Sequence, residues 1–334
     1  MMKPFSRFLV LTLFFILTLT ACVSATPAVT PTVTETRIEL PTATLAPTVV
    51  ATPTLTQISA TDGLGRVVTL DAPAQRVISL APSNTEILFA LGAASQIIGR
   101  DSFSDYPPEA VSITDIGSTW ETLNLEQLVA LQPDLVLAAG IQSPEQVKAM
   151  EEAGLTVFLV PNPVTLEDLY TNLEVVGRLC GREAEATALI ESLKARVAAV
   201  DAKIAVVNQK PKVFYELDAS QDPAKPWTAG PGSFHDALIA RAGGINIAAG
   251  LDSAWAQMSL EQIVAADPDF ILLGDAKWGT TPESVAQRPG WSGLRAVKEG
   301  RVIPFDDDTI SRPGPRLVDA LENLAKILHP EIFK

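Results

Sequence analysis

Cysteine and histidine are scarce in this 334-residue chain, which contains two of each. The cysteines are Cys22 and Cys180. Because Cys22 ends an N-terminal targeting segment, the mature chain is predicted to have no intramolecular disulfide. Two histidines, His235 and His329, are too few for a histidine-rich cage, so no metal site is predicted.

Clusters of basic residues and the common catalytic motifs are also missing. The chain has 25 Lys and Arg against 39 Asp and Glu, a net charge of −14, and its basic residues are dispersed. Nucleic acid is therefore not an expected partner. The sequence contains no G-x-S-x-G, P-loop or H-E-x-x-H motif and no G-x-G-x-x-G after a strand, so an enzyme is not predicted.

The N-terminus has the pattern of a targeting segment. Lys3 and Arg7 precede the apolar run Leu9–Leu19, which is too short to span a bilayer and indicates a signal peptide over 1–22. Its end, Leu-Thr-Ala-Cys22, resembles the lipobox of bacterial lipoproteins, in which the cysteine is lipidated and becomes the new N-terminus. The alternative is a cysteine that follows an ordinary signal peptide by chance.

The next segment, 23–57, has eleven Thr and five Pro and almost no charge. Such a composition cannot bury a core, so a semi-extended tether is predicted.

A long repeat organises the rest of the chain. Residues 124–137 and 259–272 are similar at an offset of 135, and eight of the thirteen positions that follow the first are identical. The same offset relates Trp120 to Trp255. A repeat at this distance predicts two similar lobes, each with a capped short helix, a Pro-Asp turn and a buried strand.

Strands that alternate with helices predict an α/β protein with mostly parallel sheets. The predicted lobes are 58–165 and 209–334, joined by a helical connector over 166–208. Within the connector, Arg182–Val207 has apolar residues three and four apart and neither Gly nor Pro, which predicts one long, rigid helix and small lobe motion. In the first lobe, Ser83 to Glu86 has the pattern of a capping box that opens a helix.

The two repeat helices are predicted to begin alike. Asn124 and Ser259 are the expected caps, with Gln127 and Gln262 in capping-box position. The apolar residues expected on the buried faces are Leu125, Leu128 and Val129, and Leu260, Ile263 and Val264. Glu126 and Glu261 then point away from the core. They either serve only the helix dipole or present one carboxylate per lobe to a two-fold symmetric partner.

Several motifs resemble the periplasmic cobalamin-binding proteins of ABC importers, within the wider family that binds cobalamin, haem and ferric siderophores. They are Arg76–Glu86, Ser104–Pro108, Ser118–Glu126, Pro226–Gly230, Trp255–Ser259 and the pair Asp308 and Arg312. The resemblance covers about residues 74 to 330. It implies the class III periplasmic-binding-protein fold, two α/β lobes bridged by a long helix, and an extracytoplasmic position.

The resemblance also implies roles for particular residues. Tyr106, Trp120, Trp227 and Trp255 would line an inter-lobe cleft and stack on a corrin, while Asp308 and Arg312 would hydrogen-bond its amide groups. Glu126 and Glu261 would meet arginines of the permease. Other interpretations stay open: the tryptophans as core residues, Tyr106 as a haem-iron ligand, and Arg312 as a plain ion-pair partner of Asp308. His235 is expected on a helix surface rather than at cobalt, because it falls in a first helical turn.

The sequence therefore predicts a lipid-anchored, monomeric solute-binding protein at the bacterial membrane, in the periplasm or at the cell surface. It would bind cobalamin or a related corrinoid, need no cofactor, and deliver the ligand to an ABC permease dimer with its ATPase subunits. The same role for haem or a ferric siderophore is the nearest alternative. An extracytoplasmic α/β enzyme and a surface adhesion lipoprotein are the others.

Overall fold

A computed structural model describes residues 57–119 and 123–333 of the chain. The predicted signal peptide, the lipidation of Cys22, nearly all of the tether and the role of Trp120 lie outside the described residues. None of the helices within the described ranges is long and apolar enough to cross a membrane.

The first half is built on a parallel sheet of four strands. A short antiparallel hairpin, β1 (Ile58–Thr61) and β2 (Val67–Leu70), precedes it. The sheet has the order β4-β3-β5-β6 and consists of β3 (Val77–Ser79), β4 (Ile97–Arg100), β5 (Leu135–Ala139) and β6 (Val157–Val160). Its helices are α1 (Pro82–Ala90), α2 (Leu125–Ala130) and α3 (Pro144–Glu152). We call this half the first lobe.

Two helices join the halves. They are α4 (Leu166–Cys180), which begins with a full capping box at Thr165, and α5 (Glu183–Ile204). Between them Gly181 is in the left-handed conformation, which ends α4. At 1.5 Å per residue α5 is roughly 33 Å long, so the predicted long connecting helix is confirmed.

The second half is built on a mixed sheet of six strands, with the order β10-β8-β7-β11-β12 and β9 paired to β7. The strands are β7 (Lys212–Asp218), β8 (Trp227–Ala229), β9 (Ile245–Asn246), β10 (Trp255–Gln257), β11 (Phe270–Leu273) and β12 (Val302–Pro304). The helices are α6 (Phe234–Arg241), α7 (Leu260–Ala266), α8 (Pro282–Gln287), α9 (Arg295–Lys298), α10 (Asp307–Ile310) and α11 (Leu317–Leu328). We call this half the second lobe.

The predicted α/β class with two lobes is confirmed, and both repeat copies form the predicted helix and strand. The first copy gives α2 and β5, and the second gives α7 and β11. In each lobe the repeat strand lies inside the sheet, and its central residues are fully buried. The boundaries assigned to the lobes from the sequence stay a prediction.

Three local predictions are wrong. Ser83 to Glu86 is not a capping box: α1 begins at Pro82 after Ala81, which has no capping side chain. Gln127 donates to the carbonyl of Asp115 instead of completing a capping box, although Asn124 does cap α2. Val129 and the equivalent Val264 are exposed and do not belong to the buried faces of their helices.

Candidate functional site

A cavity of ≈ 980 Å³ lies between the two lobes. From the first lobe it is lined by residues that follow β3, β4, β5 and β6, such as Ser83, Phe103 and Ile141. From the second lobe it is lined by residues that follow β11 and β12, such as Trp278 and Arg312. The cavity therefore lies at the carboxyl ends of the parallel strands, where open α/β sheets bind ligands.

Aromatic rings form much of the cavity wall. They are Phe103, Phe234, Trp255 and Trp278. Trp255 packs against two other rings. It meets Phe234 and His235 edge-on, with ring centroids 5.5 and 5.4 Å apart. Phe103 and Trp255 are about half exposed, and such rings suit a large, flat, apolar ligand.

The predicted aromatic residues do not all reach this cavity. Trp255 lines it. Trp227 lies on the strand next to that of Trp255, because β8 pairs with β10 and Trp227 is opposite Gln257. Its side chain is 39% exposed, but it does not line the cavity. Tyr106 is half exposed and its ring is covered by the guanidinium of Arg316 at 4.1 Å, so it too lies beside the cavity.

Glu86 is a buried carboxylate that joins the two lobes. It lies on α1, and both of its oxygens accept hydrogen bonds from Arg316 of the second lobe, at 2.8 and 2.5 Å. Arg312 is 3.5 Å away. Burial raises the pKa of Glu86, although the two arginines oppose the rise. Removing either partner of such a pair would leave an uncompensated buried charge, so this contact contributes to holding the two lobes together.

Arg312 and Asp308 line the cavity, as predicted from the sequence, but both are already ion-paired. Arg312 contacts Asp105 of the first lobe at 2.6 Å and Asp308 at 3.0 Å. Lys277 contacts Asp308 from the other side at 2.7 Å. Burial alone would raise the pKa of Asp105, but the hydrogen bond from Arg312 holds that pKa below its ordinary value. The cations that line the cavity are therefore already neutralised.

His235 is not the helix-surface residue that the sequence predicts. It is fully buried among Tyr215, Phe234 and Trp255, and burial lowers its pKa to about 3. Its Nε2 lies 3.2 Å from the Ser311 hydroxyl. Because its pKa is lowered this far, His235 is a neutral ring that packs against these side chains.

Glu126 and Glu261 are both exposed at the second position of a repeat helix. Neither has an ion-pair partner among the residues that the structure describes. The backbone N–H groups and Ser259 at the start of α7 lower the pKa of Glu261. Val129 and Val264 are exposed three residues further along each helix, 42% and 47% respectively. Each lobe thus presents one acidic and one apolar side chain on the same helix.

Two cavity residues and one inter-lobe contact were not predicted from the sequence. Phe103 directly precedes the Ser104–Pro108 motif, and Trp278 follows the second repeat strand by five residues. The rule that ligands lie at the carboxyl ends of strands would have found both. Glu86 had no such signal, because its partner Arg316 lies 230 residues later in the chain.

Comparison with known proteins assigns a family to this architecture. The sequence profile of the periplasmic binding proteins matches residues 77–309. The chain is 31% identical over 280 residues to YvrC of Bacillus subtilis, an uncharacterized ABC transporter substrate-binding lipoprotein, covering 83% of this chain and 87% of that one. It is 34% identical to the vitamin B12-binding protein of Salmonella typhimurium, covering 76% of this chain and 90% of that one.

The fold is likewise similar to solved structures. The periplasmic haem-binding protein RhuT of Roseiflexus sp. RS-1 matches with a TM-score of 0.70 and 28% identity, over 78% of this chain and 99% of that one. The profile, the relatives and a ligand-sized cavity between two lobes agree: this chain belongs to the periplasmic binding protein family, whose members bind solutes for transport and are not enzymes.

Proposed function

We propose that this chain is the lipid-anchored solute-binding component of an ABC importer and that it binds cobalamin or a related corrinoid in the inter-lobe cavity. The observation that carries the proposal is the wall of aromatic rings around a cavity of ≈ 980 Å³. A corrin is broad, flat and apolar on its faces, and such rings would bury those faces. The relative from Salmonella typhimurium is named for binding vitamin B12.

The charges around the cavity favour a corrinoid over haem. Haem carries two carboxylates, which need free cations, whereas Arg312 and Lys277 are held by Asp105 and Asp308. The amide fringe of a corrinoid can instead exchange hydrogen bonds with Asp308 and Arg312 without adding charge. Tyr106, the possible haem-iron ligand, is not among the residues that line the cavity.

Delivery to a permease dimer with its ATPase subunits is the second part of the proposal. The two exposed carboxylates, Glu126 and Glu261, start equivalent helices in the two lobes. A permease dimer would present equivalent cationic sites, so one carboxylate from each lobe fits such a partner. The binding protein would act as a monomer in this complex.

Membrane attachment through Cys22 is the third part. It is supported by the lipobox-like sequence and by the name of the Bacillus subtilis relative, which includes the word lipoprotein. The tether over 23–57 would let the two lobes reach the permease while the lipid stays in the outer face of the membrane.

Spectral titration of the detergent-solubilised full chain tests the ligand. We expect cyanocobalamin to bind and haemin to bind at least tenfold more weakly. Trp255→Ala should weaken cyanocobalamin binding by tenfold or more, equivalent to about 1.4 kcal/mol, because a supported stacking surface is lost. The matched variant Trp227→Ala removes an equally exposed indole beside the cavity and should have a smaller effect. Retention of haemin but not cyanocobalamin would overturn the corrinoid assignment.

A further inference from the structure

A second, smaller cavity of ≈ 350 Å³ adjoins the first. Leu217 and Trp278 line both cavities, so the smaller one is a side pocket of the ligand cavity. Its lining residues are Leu217, Asp218, Ser220, Asp275, Trp278 and Thr280. They follow or end β7 and β11, two neighbouring parallel strands, so the side pocket also lies at the carboxyl edge of the sheet.

Asp275 is the unusual member of this side pocket. It is 4% exposed and comes two residues after the end of β11. Its Oδ2 accepts a hydrogen bond from the backbone N–H of Ala219 at 3.3 Å, whereas its Oδ1 has no partner among the described residues. Burial raises the pKa of Asp275 in spite of the nearby Thr280 hydroxyl. A buried oxygen without a donor is costly, which points to a donor that arrives with a ligand.

The charges around the side pocket restrict which chemical group can act as that donor. Arg288, beside this pocket, is engaged by buried Glu216 through two hydrogen bonds of 2.6 and 2.8 Å. Arg288 opposes the rise in the pKa of Asp275 without cancelling it, and Glu216 also interacts with Asp275, so the carboxylates here outnumber the guanidinium. A group that donates hydrogen bonds is favoured in this pocket, and a carboxylate is repelled. Two carboxylates do not make a metal site, since no group of three metal-ligating side chains occurs in the described ranges.

We propose that the side pocket receives a primary-amide arm of the ligand held in the main cavity, with the amide N–H donating to Oδ1 of Asp275, and that it rejects a carboxylate arm. The inference rests on the proposed function, because it requires a ligand that is fringed with amides. It makes Asp275 a specificity-determining residue. Trp278, which is 79% exposed and lines both cavities, covers the junction through which the arm passes.

The test uses cyanocobalamin and its isomeric monocarboxylic acids, in each of which a different amide arm is converted to a carboxylate. We expect the wild-type full chain to bind one isomer about tenfold more weakly than cyanocobalamin, because only one arm enters the side pocket. In Asp275→Asn that penalty should fall to about twofold, since the asparagine amide can turn a donor toward a carboxylate. Glu174→Gln, which removes an equal charge from an exposed position on α4, should keep the penalty.

Two outcomes would overturn the inference alone. One is equal binding of all isomers by the wild-type chain, a measurement that needs no variant to fold. The other is an unchanged penalty in a folded Asp275→Asn protein. A chain that binds no cobalamin at all would instead overturn the proposed function, and this inference with it.

Discussion

His235 contributes both to the wall of the ligand cavity and to the stability of the fold. It supports Trp255 and Phe234, two walls of the cavity, and does so as a neutral ring with no exposed surface. A charged imidazolium could not be solvated there, which is why its pKa falls from 6.5 to about 3. The nearby carboxylate of Asp307 does not contact the His235 ring directly. The Ser311 hydroxyl lies between them and donates a hydrogen bond of 2.6 Å to Oδ1 of Asp307.

This burial predicts a pH dependence of folding. Between pH 6.5 and about 3 the unfolded chain binds a proton at His235 and the folded chain does not, so the free energy of unfolding falls as pH decreases through that window. From pH 7.5 to 5.0 wild type should lose about 2 kcal/mol more than His235→Phe. Urea denaturation at both pH values measures the difference. Parallel losses in the two proteins would contradict the buried neutral state.

Local motifs were enough to place some residues at the cavity, although their role in ligand binding stays a prediction. Trp255, Asp308 and Arg312 were predicted in the cleft and line the cavity. Sequence analysis failed for Glu86 and His235, whose partners come from distant parts of the chain. A Ser-Asn-Thr-Glu run looks like a helix cap from its spacing alone, whereas the arginines that bind Glu86 are visible only in the folded chain.

At the scale of elements, the connector depends on Gly181. Its φ is +65°, and a Cβ there would lie 3.0 Å from Cβ of Pro73. Gly181→Ala should therefore lower the free energy of unfolding by roughly 1–2 kcal/mol. Chemical denaturation would check this. The matched variant Gly293→Ala, where a Cβ meets nothing within 4 Å and φ is ordinary, should change stability by less than about 0.5 kcal/mol. Equal effects would mean that the α4–α5 junction tolerates other conformations.

The sequence repeat made the repeat helices and the central strands predictable. The short strands beside the cavity could not be predicted in this way. The repeat copies carry caps, periodic apolar residues and a Pro-Asp turn, which act locally. β8 lies in a segment rich in Gly and Pro, which has no strand pattern of its own. It becomes a strand only because β7 and β10 supply hydrogen-bonding partners from elsewhere in the chain.

At the scale of the whole molecule, the lobes are connected by more than the chain. On the connector, Arg196 of α5 pairs with Glu322 of α11, and Asp201 of α5 pairs with Arg241 of α6. Away from the connector, Glu86 of the first lobe is held by Arg316 of the second. Both sets are consistent with the predicted small lobe motion, which would keep the spacing between equivalent surface features of the two lobes nearly constant. A partner can then recognise both lobes at once.

The proposed docking of both lobes on the permease can be tested with a double variant. Removing both carboxylates, in Glu126→Ala with Glu261→Ala, should abolish cyanocobalamin uptake by cells that depend on this chain, because both contacts with the permease are lost. Ligand affinity should stay within twofold, since both side chains are exposed on helices α2 and α7 and neither lines the cavity. Labelled-ligand uptake and spectral titration measure the two quantities separately.

A matched control exists in the same fold. Glu145 and Glu283 are also exposed, also occupy the second position of a capped helix, and also come one from each lobe. Replacing both by Ala removes the same charge and the same interaction with the helix dipole but leaves the repeat helices intact. This control should support normal uptake. If it lost uptake as fully as the Glu126 and Glu261 pair, net charge rather than docking would be responsible. If neither pair affected uptake, the two repeat carboxylates would serve only their own helices.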